Sequence, residues 1–178
     1  MNTQNPLPHN HERHPPIYPI CIIGQGGIVM MPKPRAEHLA NDMAFYQQQG
    51  ITHIVSLLRQ EEMLQHGLDQ EKQACETAGL GFYHLPIQDM NVPELSTLQA
   101  FNQTLLSDIA EGATIAIHCH GGRGRAGTVA ISLMLESGYE LTDALALARE
   151  KRQDSMVPVC DVQNEFLANY AQTIGNKK

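Results

Sequence analysis

A cysteine and an arginine six positions apart are the residues best suited to chemistry, in the stretch IAIHCHGGRGRAGT (115–128). The glycines between them are Gly121, Gly122 and Gly124. Glycines let the backbone curl so that several N–H groups point inward, and a helix that starts after the loop adds its positive end. Arg125 can then grip a phosphate-like dianion, and the same donors favour the thiolate form of Cys119. The stretch predicts a nucleophilic cysteine inside an anion site, in preference to a structural cysteine beside a glycine-rich turn.

A second loop supplies an acid. Asp89 lies thirty residues before Cys119, after a predicted strand and within the loop QDMNVPE. A carboxylic acid that faces the nucleophile can protonate the departing oxygen of a phosphate ester. An isolated loop aspartate more commonly forms a turn or is simply solvated. The presence of the Cys119 stretch favours the catalytic interpretation of Asp89.

The hydrophobic pattern predicts the elements that must hold these loops. Apolar runs predict a hairpin-like start at 20–30 and strands at 51–58, 82–87 and 114–119. Helical spacing and cap residues predict helices at 36–50, 60–78 (one or two), 93–109 after Pro93, 126–136, 142–152 with Thr142 as cap, and 162–170. Strands that alternate with helices favour a single-domain α/β fold, with a central, mostly parallel sheet of four to five strands flanked by helices. Ligands of such folds bind where strands end and helices begin, which is where Cys119 lies.

Composition limits the partners and the compartment. A chain of 178 residues with 42% hydrophobic residues fits one soluble domain. Its net charge of −7 works against general binding to nucleic acid or to an anionic membrane. Without a signal peptide or an apolar run of about 20 residues, we expect a cytoplasmic monomer that has no stable membrane association.

The amino terminus and the cysteines complete the outline. Residues 1–19 contain five prolines and three histidines without a period, so we expect a disordered tail there and the domain at 20–178. The three histidines are His9, His11 and His14. They could bind a metal, but a flexible polar tail is the simpler interpretation. The four cysteines are widely spaced and form no CxxC pair, which predicts free thiols.

The stretch HCHGGRGRAGT (118–128) resembles the HCxxGxxR phosphate loop of cysteine-dependent protein tyrosine and dual-specificity phosphatases. The compact kinase-associated type, similar to cyclin-dependent kinase inhibitor 3, is the nearest in pattern. HLPIQDMNVP (84–93) resembles the general-acid loop of this family, and VQNEFLANY (162–170) resembles its glutamine-bearing helix. The similarity spans about residues 20–172. It implies a phosphatase-type fold and a phosphomonoester hydrolase.

The resemblance also implies roles for single residues. Cys119 would attack phosphorus and form a phosphocysteine, while Asp89 protonates the leaving oxygen and later takes a proton from water. Arg125 would hold the phosphoryl oxygens together with the amides of residues 120–124. His118 would hydrogen-bond to the loop backbone. Gln163 would position the water, or it is simply a polar residue on a helix face. The scheme needs neither a metal nor another cofactor.

Two loop residues bear on the substrate. His120 and Arg123 project from the loop and are either solvated or in contact with the group that carries the phosphate. A compact chain without a segment that builds a deep cleft implies a shallow pocket, which admits phosphoserine and phosphothreonine besides phosphotyrosine in a phosphoprotein. A basic residue at the Arg123 position also resembles loops of phosphoinositide and inositol-phosphate phosphatases, which is the first alternative.

One position departs from the family pattern. The family usually has serine or threonine directly after the loop arginine, where its hydroxyl stabilises the departing sulfur, but this chain has Ala126. We therefore expect normal phosphorylation of Cys119 followed by slow hydrolysis. A second alternative follows from the same residue, namely a catalytically slow module that binds and traps phosphoproteins.

Overall fold

The computed structural model describes residues 13–175, which form one five-stranded sheet with helices on both faces. The strands are β1 (Tyr18–Ile23), β2 (Gly26–Met31), β3 (His53–Ser56), β4 (Gly81–His84) and β5 (Thr114–His118). Their order in the sheet is β1-β2-β5-β3-β4. Only the β1–β2 hairpin pair is antiparallel among these strands, and the other neighbours run parallel. The predicted α/β class and mostly parallel sheet are confirmed.

Seven α-helices connect and cover the strands within the described residues. They are α1 (Leu39–Gln48), α2 (Gln60–Gln65), α3 (Glu71–Thr77), α4 (Leu95–Ala110), α5 (Arg125–Glu136), α6 (Leu141–Arg152) and α7 (Asp161–Gly175). Each lies close to a helix expected from the sequence, but the cap predicted for α6 is wrong. Pro93 precedes α4 as expected, and Glu94 caps this helix by accepting a hydrogen bond from the Ser96 amide at 3.3 Å. Thr142 lies inside the first turn of α6, which begins one residue earlier.

Strand β5 lies at the centre of the sheet and is buried on both faces. Its Ile115 and Ile117 belong to the larger core, which α4, α5, α6 and α7 cover, whereas Ala116 belongs to the core under α1 and α3. This alternation follows from the two-residue period of a strand. Helix α5 is buried nearly all round, as its apolar sequence predicts. The strand and the helix on either side of the Cys119 loop are therefore both fixed in the interior. No helix between residues 13 and 175 has the length and hydropathy needed to cross a bilayer.

The amino-terminal segment differs from the expected tail where the structure describes it. His14 stacks on Phe45 with ring centroids 4.2 Å apart, Pro15 is buried, and β1 begins at Tyr18. These ring contacts offset the entropy of ordering a polar, proline-rich segment. Residues 13–19 therefore pack against the domain. The rest of the predicted tail, with His9 and His11, lies outside the described residues.

Candidate active site

A cavity of about 210 Å³ opens at the carboxyl end of β5, where the chain passes through residues 119–124 into α5. The predicted residues that line this cavity are Asp89, Cys119, His120, Gly121, Arg123, Gly124 and Arg125. Cys119 directly follows β5 and is only 4% exposed. The fold thus brings together the loop that carries the cysteine and the loop that carries the aspartate.

Arg152, in the last turn of α6, holds the outer side of the phosphate loop. Its guanidinium donates from Nη2 to the Gly121 carbonyl and from Nε to the Gly122 carbonyl, each at 3.0 Å. The same guanidinium lies 4.0 Å from the ring centroid of Tyr18 in β1. Because the C=O and N–H groups of a trans peptide unit point in opposite directions, the amides that follow these carbonyls point away from Arg152. These are the amides of Gly122 and Arg123, and Arg123 lines the cavity.

Two further features fix the same curvature. The Lys33 amide donates to the His120 carbonyl at 3.0 Å, which turns the next amide inward in the same way. Gly122 has a φ of +70°, and a Cβ there would lie 2.1 Å from the Met31 carbonyl oxygen. No other residue fits this left-handed and crowded position. Contacts within the protein therefore fix the curvature of residues 120–122.

Arg125 is buried and clamped from behind by Glu62, a residue that the sequence analysis missed. The side chain is 2% exposed, and its Nη1 and Nη2 donate to the two Glu62 oxygens at 2.8 and 3.0 Å. Nη1 also donates to the Ile87 carbonyl at 2.9 Å, while Nε is buried without a hydrogen-bond partner among residues 13–175. Burial by itself lowers the pKa of Arg125, but Glu62 and Cys119 together leave that pKa raised. The guanidinium stays charged, and three of its five N–H groups donate to Glu62 and Ile87.

His118 is tied to a second buried acid that the sequence analysis did not identify. Its Nε2 lies 2.6 Å from a Glu71 carboxylate oxygen and its Nδ1 lies 3.0 Å from the Cys119 carbonyl, which is the expected backbone contact. Both side chains are 0% exposed. Although burial lowers it, the pKa of His118 is raised on balance because the Glu71 carboxylate faces the ring. Since both partners are acceptors, the imidazolium satisfies both contacts.

The loop that carries Asp89, residues 88–94, is called the acid loop below, and it is exposed and makes few contacts with the rest of the site. The side chain of Asp89 is 69% exposed and its Oδ1 lies 3.4 Å from Arg125 Nη2. Gln163, on α7, is 1% exposed; it accepts from the Val159 amide at 3.1 Å and donates to the Asn91 carbonyl at 3.3 Å. Gln163 thus connects the acid loop to the segment before α7. It also lies beside the phosphate loop, because a Cβ on Gly124 would be 3.0 Å from its Oε1.

The loop residues predicted to contact the substrate have partners of their own. Arg123 forms an ion pair with Asp154, with Nη2 lying 3.3 Å from Oδ1. His120 is exposed, and its ring centroid lies 4.9 Å from that of His66. The positive charge of Arg123 is therefore largely balanced before any ligand binds.

The position after the loop arginine carries no hydroxyl. Ala126 is fully buried, and the Thr128 hydroxyl donates to the Gly124 carbonyl at 2.8 Å. Thr128 is itself 0% exposed. This hydroxyl is engaged by the helix backbone and does not replace the one that Ala126 lacks.

The described residues contain no group of three or more His, Cys, Asp or Glu side chains arranged to hold a metal ion. The four cysteines are unpaired, as their spacing predicts. The residues that line the cavity belong to the segment 119–125, to the loop of Asp89 and, with Val159, to the segment before α7.

Comparison with known proteins points to one family. The family model described as "Polymorphic toxin system, DSP-PTPase phosphatase" matches residues 29–139. Protein tyrosine phosphatase domain-containing protein 1 from Bos taurus is 30% identical over 140 residues, which cover 72% of this chain and 18% of the relative. The Mus musculus protein of the same name is also 30% identical, with 72% and 19% covered. The chain spans about a fifth of the length of these curated relatives.

Solved structures share the fold. A mutant form of Tk-PTP has a TM-score of 0.73 and 25% identity, with 89% of this chain and 97% of the other covered. Kinase associated phosphatase, with its catalytic cysteine replaced by serine, has a TM-score of 0.79 at 18% identity. This match covers 93% of this chain and 98% of the other. PTPMT1 in complex with PI(5)P has a TM-score of 0.72, also at 18% identity. This match covers 88% of this chain and 97% of the other.

Proposed function

This chain belongs to the DSP-PTPase phosphatases, and we propose that it is a phosphomonoester hydrolase that acts on phosphoproteins through a phosphocysteine. Family and fold support phosphatase activity in general. The observation that carries the finer proposal is the convergence of Cys119, Arg125 and Asp89 on one cavity. A nucleophile, an anion clamp and an acid are the groups that metal-free phosphate-ester cleavage requires.

In the first step the Cys119 thiolate attacks phosphorus in line. A P–S bond forms as the P–O bond to the leaving group breaks, and Asp89 protonates the leaving oxygen. Arg125 and the loop amides hold the three remaining oxygens. The 3.4 Å separation of Asp89 and Arg125 supports this arrangement, because both must reach the same phosphoryl group.

In the second step water attacks the phosphocysteine. Asp89, now a carboxylate, takes the proton, a new P–O bond forms, and the P–S bond breaks to release phosphate and the Cys119 thiolate. Gln163 orients the water; its contact with Asn91 uses one of its two amide hydrogens and leaves the other for this purpose. With Ala126 in place of a hydroxyl donor and Thr128 engaged elsewhere, the departing sulfur lacks one stabilising contact. We expect this second step to limit turnover.

The phosphoprotein is favoured over an inositol phosphate as substrate because Asp154 already balances the charge of Arg123. A second phosphate would have to displace this carboxylate to bind Arg123. An open cavity of about 210 Å³ suits phosphotyrosine and also the shorter phosphoserine and phosphothreonine. Arg123→Leu should therefore lower activity on phosphopeptides no more than on an aryl phosphate, whereas selective loss on inositol polyphosphates would favour the alternative.

Hydrolysis of p-nitrophenyl phosphate in EDTA tests the proposal directly. We expect turnover by the wild type, none by Cys119→Ser, and wild-type turnover by Cys160→Ser, a matched control at a second, partly exposed cysteine. Turnover that survives Cys119→Ser would overturn the mechanism. A wild type that binds vanadate but releases no nitrophenol would indicate the trapping module instead.

A further inference from the structure

Exposed apolar side chains border one side of the Cys119 cavity. Within residues 13–175 the large hydrophobic side chains that are exposed are Met90, Met156, Val162, Ile22 and Leu64. The first three, which we call the methionine rim, are 52%, 57% and 41% exposed. Exposed apolar groups that cluster beside a polar cavity are typical of binding surfaces.

The rim is continuous with the wall of the cavity. Met90 lines the cavity itself. Met156 and Val162 lie on the segment between α6 and the first turn of α7, whose Val159 also lines the cavity. The Cys160 sulfur lies 3.5 Å from the Met90 carbonyl oxygen, so the two segments that carry the rim residues are in contact. A substrate whose phosphate lies in the cavity and whose chain extends out on this side must pass over the rim.

The backbone of Met90 adds a second observation. Its φ is +58°, a left-handed conformation that glycine adopts more easily than any residue with a side chain. The conformation leaves the thioether half in solvent at the mouth of the cavity. A methionine side chain adapts its shape to varied apolar partners, which suits a contact made with more than one sequence.

The chemistry of the rim favours one class of ligand. Apolar side chains gain free energy by leaving water against Met90 and Met156, whereas the hydroxyl and phosphate groups of an inositol ring lose hydration there without finding a partner. Arg123, a cation that lines the cavity, is balanced by Asp154. A net charge of −7 disfavours an anionic membrane as the apolar partner. Resting on the proposed function, we propose that the rim binds apolar side chains next to the phosphorylated residue of a protein substrate.

Two phosphotyrosine peptides of equal length and charge test this proposal, one with leucine and one with serine on both sides of the phosphotyrosine. The ratio of kcat/KM for the two peptides is the readout, because it cancels changes in the chemical step. We expect the wild type to prefer the leucine peptide by about 10-fold and Met90→Ser/Met156→Ser to lose most of that preference. Ile22→Ser, which changes an exposed residue of β1, should keep the wild-type ratio. Equal rates on both peptides in the wild type, or a preference that survives in the double variant, would overturn the proposal.

Binding of the same peptides to Cys119→Ser separates the rim from catalysis. A dissociation constant about 10-fold lower for the leucine peptide would support the rim even if the wild type shows no turnover, and that lack of turnover would count against the proposed function alone. Equal affinities would overturn the rim while leaving hydrolysis of p-nitrophenyl phosphate as support for the proposed function. Stronger binding to phosphoinositide vesicles than to either peptide, abolished in the Met90→Ser/Met156→Ser background, would assign the rim to a membrane and overturn the proposal.

Discussion

The phosphate loop and the acid loop meet at one cavity but are held in opposite ways. Arg125 is 2% exposed and makes three hydrogen bonds to buried or partly buried acceptors. Asp89 is 69% exposed and approaches the site through a single 3.4 Å contact with Arg125. The carbonyls of residues 120–122 are fixed from outside, whereas the acid loop is tied down mainly through Gln163 and Asn91.

Under the proposed mechanism, this difference separates anion binding from proton transfer. Donors that are fixed before the anion arrives do not have to be reorganised in the transition state, which makes them effective electrostatic catalysts. Fixing them places the partly buried Glu62 and the fully buried Glu71 opposite cations, so changes on this side affect stability as well as activity. Changes in the exposed acid loop should affect the chemical step with little effect on stability.

Replacing the clamp should have the largest effect. Arg125→Lys removes the bidentate geometry and leaves Glu62 with a poorly matched partner, so kcat/KM for p-nitrophenyl phosphate should fall about 10³-fold. Arg59 is an exposed arginine directly before α2, the helix that carries Glu62. Arg59→Lys is therefore the matched control and should leave kcat/KM nearly unchanged. A fall in kcat/KM of less than 10-fold in Arg125→Lys would contradict the proposed role of Arg125 in holding the phosphate.

Glu71→Gln should produce the next largest effect, on stability. Leaving the buried His118 cation without its carboxylate should cost about 3 kcal/mol in the free energy of unfolding. Because the pKa of His118 is raised in the folded state, its stabilising contribution is full below its unfolded pKa of about 6.5 and is lost as pH rises through the folded-state pKa. In urea unfolding, the difference in the free energy of unfolding between wild type and variant should therefore be largest at about pH 6 and become smaller at high pH. A difference that widens with pH would contradict the charged pair.

Asp89→Asn should slow the chemistry and spare the fold. We expect kcat to fall about 100-fold with a poorly activated alkyl or peptide phosphate and much less with a good leaving group that needs no proton. The midpoint of urea unfolding should stay within the range typical of a surface substitution, because the side chain is 69% exposed. A loss of stability comparable with that of Glu71→Gln would contradict the contrast between the two loops.

Arg152→Gln should have a smaller effect, confined to anion binding. Releasing the carbonyls of Gly121 and Gly122 lets the loop amides turn away, so the affinity for vanadate should fall about 10-fold. Lys151→Gln, which changes an exposed neighbour on the same helix, should bind vanadate like the wild type. Equal affinities for the two variants would show that the loop keeps its shape without Arg152.

The path of the chain through the site and the meeting of Cys119, Arg125 and Asp89 at one cavity could be predicted from the sequence. The apolar strand ending at His118, the glycines and the buried helix beginning at Arg125 predict a phosphate loop because each type has a local physical reason to be there. Glu62 and Glu71 were missed because nothing local marks them. Both lie in short, otherwise polar helices after β3, where an acid is expected to face solvent, and only the fold reveals that each is opposite a cation.

Stopped-flow release of nitrophenol tests the central claim, transfer of the phosphoryl group to Cys119, most directly. We predict a burst close to one nitrophenol per protein followed by slow steady turnover, because Ala126 leaves the departing sulfur without a hydroxyl donor. Ala126→Ser should speed the steady phase and keep the burst amplitude, and Cys119→Ser should abolish both phases. Steady release without a burst in the wild type would contradict slow hydrolysis of the intermediate, and any turnover retained in Cys119→Ser would contradict the phosphocysteine itself.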